Sequence, residues 1–194
     1  MENNNQKPPQ FDEMYKDRTD MFGHPYQELQ NYFRKHRKGS LLDLGCGQGR
    51  DALFLASIGY KVTAIDNSHI GVAQMMKKAQ AQGITVDCMV ADVLELNLEK
   101  TFDVILCDML LHSFAKEEQL DILKKCSTYL IEKGIMCIVF PDDMKTSHFM
   151  DLLTSLPYDW KLLEEITVND VPKDEHGNAD YTFMMIVVEL VSRQ

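Results

Sequence analysis

Leu41-Leu42-Asp43-Leu44-Gly45-Cys46-Gly47-Gln48-Gly49-Arg50 is the stretch that decides the fold of this chain. Residues 41–44 read as a buried strand and 50–58 as a helix stopped by Gly59, so three glycines occupy the turn between them. Strand, glycine turn and helix in that order open an α/β sheet, in which ligands bind outside the carboxyl ends of the strands. Glycine lets the backbone turn tightly and approach a ligand where a Cβ would clash. The following helix presents free N–H groups and a positive dipole end. The spacing narrows the ligand. A dinucleotide fingerprint is GxGxxG, whereas here Gln48 alone separates the last two glycines and Asp43 lies two positions before the first. An acidic residue at that place suits a ligand carrying an ammonium group better than a pyrophosphate.

On either side the hydrophobic pattern alternates between short runs and helical stretches. Further strands are expected at 61–65, 85–90, 102–107, 135–140, 160–167 and 181–191, with helices at 68–82, 116–131 and 145–156. Ser68 reads as an N-cap, Gly83 and Gly134 as helix stops, and Pro157 as the end of the last helix. Each parallel return needs a crossover, so the alternation predicts a Rossmann-like, doubly wound, seven-stranded sheet that is mostly parallel. Residues 168–180, with Pro172 and Gly177-Asn178, leave no room for a helix, so the last strand should return antiparallel through a long hairpin loop. Residues 1–10 read as a polar tail, 11–38 as an N-terminal helical lid, and 39–194 as the single main domain.

The 194 residues carry a formal charge of −10, with 45% hydrophobic and 26% charged residues. That acidity removes the basic footprint expected of binders of phosphate backbones, so no nucleic-acid partner is expected. The run Arg34-Lys35-His36-Arg37-Lys38 is better placed to complement the end of a helix. No apolar stretch approaches the roughly 20 residues of a spanning helix, and the first residues lack a secretory pattern, so a cytoplasmic protein without a membrane partner is expected. Five cysteines without a CxxC pair argue against a disulfide framework or a thiolate metal site, and no metal is expected. Most of the 12 methionines should fill core gaps, with Met109 a candidate pocket wall.

Two more strand ends carry carboxylates. Asp66, at the end of the second strand, can accept hydrogen bonds from both hydroxyls of a ribose. Asp92, after the third, can accept from an adenine amino group while Val93 packs on the ring, or can cap the turn that follows. Asn67 is placed to line the other face of the base. Three consecutive strand ends thus complement an adenosine with a cationic amino acid attached.

These residues resemble the class I S-adenosylmethionine-dependent methyltransferases. Asp43 to Gly49 is similar to their motif I, Val62 to Asn67 to motif II, Val90 to Val93 to motif III, and Phe102-Asp103-Val104-Ile105-Leu106-Cys107-Asp108 to motif IV. Leu42 to Arg50, Gly59 to Asp66 and His176-Gly177-Asn178 further resemble the tellurite-resistance group of small-molecule methyltransferases. The resemblance implies S-adenosylmethionine as cofactor, S-adenosylhomocysteine as product and a small-molecule methyl acceptor. It implies a cofactor held by the turn at Gly45, Cys46, Gly47, Gly49 and Arg50, by Asp66 at the ribose, and by Asp92 at the adenine, with Val93 and Asn67 against the base. The methionine amino group would lie near Asp43 and the backbone around Cys107. Residues before motif I would fold over the cofactor, with Tyr15 and Arg18 in contact.

Methyl transfer is an in-line displacement that mainly requires alignment. A thiolate or metalloid acceptor needs little else, whereas a hydroxyl or ammonium needs a base. His112 and His24 are the candidate bases, and Asp108 could orient the acceptor or the amino group. Asp142 and Asp143 read as caps of the next helix. Tellurite-type members bring basic side chains from the late hairpin, where this chain has only Lys173 and His176. An oxyanion acceptor is therefore disfavoured. A nicotinamide oxidoreductase and a non-enzymatic cofactor-binding protein remain the alternatives, and the oligomeric state is open.

Overall fold

The computed structural model describes residues 10–169 and 182–193. The tail and most of the late hairpin loop, including Lys173 and His176, lie outside the described residues.

The alternation yields α1 (Gln10–Tyr15), α2 (Gln27–Lys35), β1 (Ser40–Leu44), α3 (Arg50–Ser57), β2 (Lys61–Asp66), α4 (His69–Gln82) and β3 (Asp87–Val90). Then follow β4 (Phe102–Asp108), α5 (Lys116–Tyr129), β5 (Leu130–Pro141), α6 (Thr146–Thr154), β6 (Tyr158–Val168) and β7 (Phe183–Arg193). The seven strands form one sheet in the order β3-β2-β1-β4-β5-β7-β6. β1 pairs in parallel with both β2 and β4, and β7 runs antiparallel to its neighbours β5 and β6. The chain therefore reverses its direction of sheet growth between β1 and β4. That switch point opens a crevice at the carboxyl ends of the two strands, below the glycine turn.

Both faces are covered, and the period-two geometry of strands assigns each residue a side. Leu41, Val104, Leu106 and Val139 pack under α2, α3 and α4 with Phe33, Leu55 and Met75. Leu42, Leu44, Ile105 and Cys107 pack under α5 and α6 with Ile122, Leu123 and Phe149. Two helix ends match their expected signals. Ser68 caps α4 by accepting from the Gly71 amide at 2.9 Å, and Gly83 ends it at φ +66°. Lys38 closes α2 by donating to the carbonyls of Phe33, of Arg34 at 3.1 Å and of His36 at 3.0 Å.

Gly134 does not stop a helix. α5 ends at Tyr129, whose hydroxyl donates to the Leu96 carbonyl at 2.9 Å, and β5 begins at the next residue. The register then jumps, from Phe102 opposite Leu130 to Val104 opposite Ile135, and the intervening residues form a bulge with Lys133 at φ +60°. A Cβ on Gly134 would lie 2.8 Å from the Ile131 carbonyl oxygen, so the glycine permits the bulge. Asp142 and Asp143 do not cap α6 either. Its N-cap is Lys145 without a side-chain bond, while Asp142 accepts from the Thr182 hydroxyl and ties β5 to the start of β7. Among the described residues no helix is long and apolar enough to cross a membrane.

Candidate active site at the switch point

A cavity of about 660 Å³ lies over the switch point. Its floor is the glycine turn. The Gly45 and Cys46 amides donate to the Ile65 carbonyl at 2.8 and 3.1 Å, which ties the turn to β2. Gly47 and Gly49 have φ of +49° and +81°, the left-handed region that favours glycine. A Cβ on Gly47 would sit 2.7 Å from the Tyr15 hydroxyl, whereas one on Gly49 would sit 2.3 Å from Cγ of Met75 on α4. The first glycine keeps the turn open under Tyr15, and the second lets α3 and α4 pack.

Asp66 stands at the mouth of the turn. One carboxylate oxygen accepts from the Gly47 amide at 2.7 Å and the other from the Ser68 amide at 2.8 Å. Burial pushes its carboxyl up, opposed by those same amides. Each oxygen keeps a lone pair for a further donor. Asn67, Asp92 and Val93 continue this wall. Asp92 spends one oxygen on the Leu94 amide at 2.8 Å, so the turn-capping reading holds for half of its carboxylate.

The opposite end gathers charge around Arg50. Its guanidinium donates to Asp51 at 2.7 Å and to Asp108, and its centre lies 4.3 Å from the centroid of the Tyr26 ring. Burial pushes the Asp108 carboxyl up to about 7 against the pull of Arg50. Asp108 and Asp51 share that guanidinium through their Oδ2 atoms, and each has a buried Oδ1 without a hydrogen-bond partner. Next to Asp108, Met109 is held at φ +49°, a strained conformation of the kind found at functional sites, and brings Leu110 over Gly45. His112 sits at the rim in the short 3-10 turn Leu111–Ser113, where burial lowers its pKa and keeps the ring neutral.

Eleven expected site residues line the cavity: Tyr15, Gly45, Cys46, Gly47, Arg50, Asp66, Asn67, Asp92, Val93, Asp108 and His112. Met109 does so as well. Five do not, each for a structural reason. Asp43 alternates with Leu42 and Leu44 and so points under α3, where burial drives its carboxyl well up. The Cys107 side chain packs on the α5 face in one cluster with Cys126, which leaves the expected backbone contact at Cys107 untouched. Gly49 is consumed by packing on Met75. Arg18 contributes only its carbonyl, which accepts from Gln48 at 2.6 Å. His24 is exposed beside Gly23 and clear of the cavity.

The chain ahead of β1 serves two purposes. α2 is core, with Leu29 and Phe33 wholly buried. The segment before it is the cavity's outer wall, where Phe11, Met14, Tyr15, Phe22 and Tyr26 face inward. Burial pushes the Tyr15 phenol up, so it remains a donor. Tyr26 and Asp51 went unread in the sequence because no local pattern marks a partner of Arg50. Gln48 had a signal, as the one long side chain between two glycines.

The model for a methyltransferase domain matches residues 41–134. A probable S-adenosyl-L-methionine-dependent methyltransferase, TehB of Haemophilus influenzae, is 27% identical over 154 residues, covering 71% of this chain and 52% of that protein. The chain thus spans about half the length of this curated relative. The crystal structure of TehB superposes with a TM-score of 0.75 at 20% identity, over 93% of this chain and 67% of that one. A structure described for the conversion of a disulfide bond into a thioacetal group during echinomycin biosynthesis gives 0.76 at 21%, over 93% and 90%. Magnesium protoporphyrin IX methyltransferase from Synechocystis, solved with bound S-adenosylmethionine, gives 0.70 at 17%, over 85% and 77%. Residues 41–134 thus match a methyltransferase domain, and the chain, with its switch-point cavity and glycine turn, has the fold of TehB and resembles it in sequence.

Proposed function

We propose that this chain binds S-adenosylmethionine in the switch-point cavity and catalyses transfer of its methyl group to a small-molecule acceptor. The observation that carries the reading is Asp66. Its two carboxylate oxygens are oriented by the Gly47 and Ser68 amides at the edge of a turn that only glycine can make, and both face the demand of a ribose diol. Asp92 and Val93 suit an adenine, and the glycine backbone admits the methionyl portion. Arg50 with Asp108 offers both signs of charge to an amino-acid head group.

When bound, the cofactor supplies a methyl group on a positively charged sulfur, already activated for displacement. The protein's work is then alignment and exclusion of water. The aromatic wall of Phe11, Tyr15, Phe22 and Tyr26 closes the cavity on the solvent side. His112 keeps a neutral ring at the rim and can take the proton of a hydroxyl or ammonium acceptor. Asp108 acts as a positioning residue, since Arg50 and Asp51 occupy its carboxyl.

The charges favour an acceptor without negative charge. Among the described lining residues both side-chain cations are paired, Arg50 with Asp51 and Asp108, and Lys78 with Asp20 at 2.5 Å. An oxyanion would meet five aspartates there and no unpaired cation. An uncharged or cationic molecule with an apolar body fits better, and a polyanion such as nucleic acid fits worse on the same ground.

Calorimetry with S-adenosylhomocysteine tests the binding, which is expected in the micromolar range; no binding would overturn the reading. Product formation from S-adenosylmethionine with a thiol, a phenol, an amine and selenite tests the transfer. Turnover of selenite alone would reverse the acceptor assignment, and binding without any turnover would make the chain a cofactor-binding protein.

A further inference from the structure

We infer that Gln48 is a positioning residue that couples the glycine turn to the outer wall of the cavity, so that ligand held in the turn and closure of the wall stabilise each other; the ligand half of this inference rests on the cofactor reading above.

The turn bends in the left-handed region on both sides of Gln48, at Gly47 and Gly49, which leaves one long side chain between two residues without any. That side chain is 4% exposed and reaches the segment ahead of α2. Its Oε1 accepts from the Met21 amide at 2.8 Å, and its Nε2 donates to the Arg18 carbonyl at 2.6 Å and to Oε1 of Gln74 at 2.5 Å. Gln74, on α4, donates in turn to the Tyr15 carbonyl at 2.9 Å. Two glutamines therefore hold the wall at three backbone positions. A primary amide is the side chain whose tip supplies an acceptor together with two donors. The partners also fix which way each amide points, since an N–H must meet an oxygen and a carbonyl must meet an N–H.

The same network reaches the ligand side. Gly47, the residue before Gln48, donates to Asp66. The other Asp66 oxygen is bonded by Ser68, whose hydroxyl donates to Asp12 of α1 at 2.5 Å, and Asp12 also accepts from the Ile70 amide at 3.1 Å. One Asp66 oxygen is thus bonded by the neighbour of Gln48 and the other by Ser68, itself an anchor of the wall. Restraining Asp66 and the turn restrains the wall that carries Phe11, Tyr15 and Phe22, and freeing the wall loosens the turn.

Hydrogen exchange of the free protein and the release rate of S-adenosylhomocysteine provide the test. In Gln48→Ala, exchange across 15–22 should rise about tenfold while β1, β4 and β5 are unchanged, and ligand release should quicken by about tenfold at an association rate within about threefold of wild type. Gln74→Leu should reproduce both effects, and the double variant should add little to either, because one network is broken once. Gln48→Glu keeps the size and the acceptor but not the donors, and should behave as Gln48→Ala does. Unchanged exchange and release in Gln48→Ala would overturn the inference, as would wild-type behaviour of Gln48→Glu. If Gln48→Ala fails to fold, Gln74→Leu decides by the same two measurements. A wild-type chain that binds no S-adenosylhomocysteine would sink the cofactor reading, whereas the exchange of 15–22 would still decide whether the latch exists.

Discussion

The two ends of the cavity are built in different ways. The end around Asp66 is assembled from consecutive strand termini, β2 and β3, and the turn after β1, and its polar groups are bonded to backbone amides within a few residues. The end around Arg50 joins a helix start, the end of β4, the segment before α2 and the start of β7, with partners such as Arg50 and Asp108 far apart in sequence. The first is set by where strands stop. The second exists only once distant pieces pack, and its charges satisfy one another in a shared low-dielectric space. This difference is why the proposed ligand contacts at one end come with atomic roles, while the other end yields a charge preference.

The contrast can be broken at several points. The largest effect is expected from Asp66→Ala. It removes two charge-assisted acceptors along with the proposed ribose contact, and S-adenosylhomocysteine affinity by calorimetry should fall by at least about a hundredfold. Affinity within a few fold of wild type would mean that the strand-end reading is wrong. At the other end, His112→Ala should leave that affinity unchanged and lower kcat by about a hundredfold for a phenol or amine acceptor, with little loss for a thiolate. Equal losses for all acceptors would remove the base role.

Gly49→Ala tests whether the third glycine serves packing or ligand. A left-handed φ and a Cβ pressed on Met75 should cost about 2 to 4 kcal/mol in urea unfolding. A variant of native stability that binds ligand poorly would return Gly49 to the ligand side.

The Arg50 end also predicts a pH dependence. Burial holds the Asp108 carboxyl at about 7 in the folded chain, against ~3.9 when unfolded. Between those values the folded state keeps a proton that the unfolded state has released. The contribution is therefore full below about pH 4 and is lost as the pH rises toward about 7. Asp108→Asn cannot titrate, so its urea midpoint should decline less than that of wild type across this range. Parallel declines would show that another group holds the proton. The smallest effect belongs to Arg18→Ala. Only the carbonyl of Arg18 is used, so affinity should stay within about twofold.

Most of the sheet was legible because burial on both faces writes itself as short apolar runs and each crossover as a helical stretch. Two helix ends, Ser68 and Gly83, carried their own chemistry. The beginning of β5 was not legible. Gly134 has the look of a helix stop, but Leu130 is drawn into pairing with Phe102 and the glycine serves a bulge instead. The site follows the same logic. Asp66 and the turn line the cavity where position alone put them, whereas Asp43 was expected near the ligand although strand alternation sets its side chain on the Leu41 face, outside the cavity lining. Parity along β1 already contained that answer for Asp43, between two leucines on the other side.

By itself the sequence determined the alternation of strands and helices, the glycine turn after the first strand and the carboxylate at the end of β2. Those depend on local periodicity, on glycine's freedom at positive φ and on where a strand must end. The tertiary structure alone decided that Arg50 would be shared between Asp51 and Asp108 under Tyr26, and that Gln48 would reach Arg18, Met21 and Gln74. Such contacts join residues that no local pattern relates, and they form because a buried charge or amide must find partners wherever packing places them.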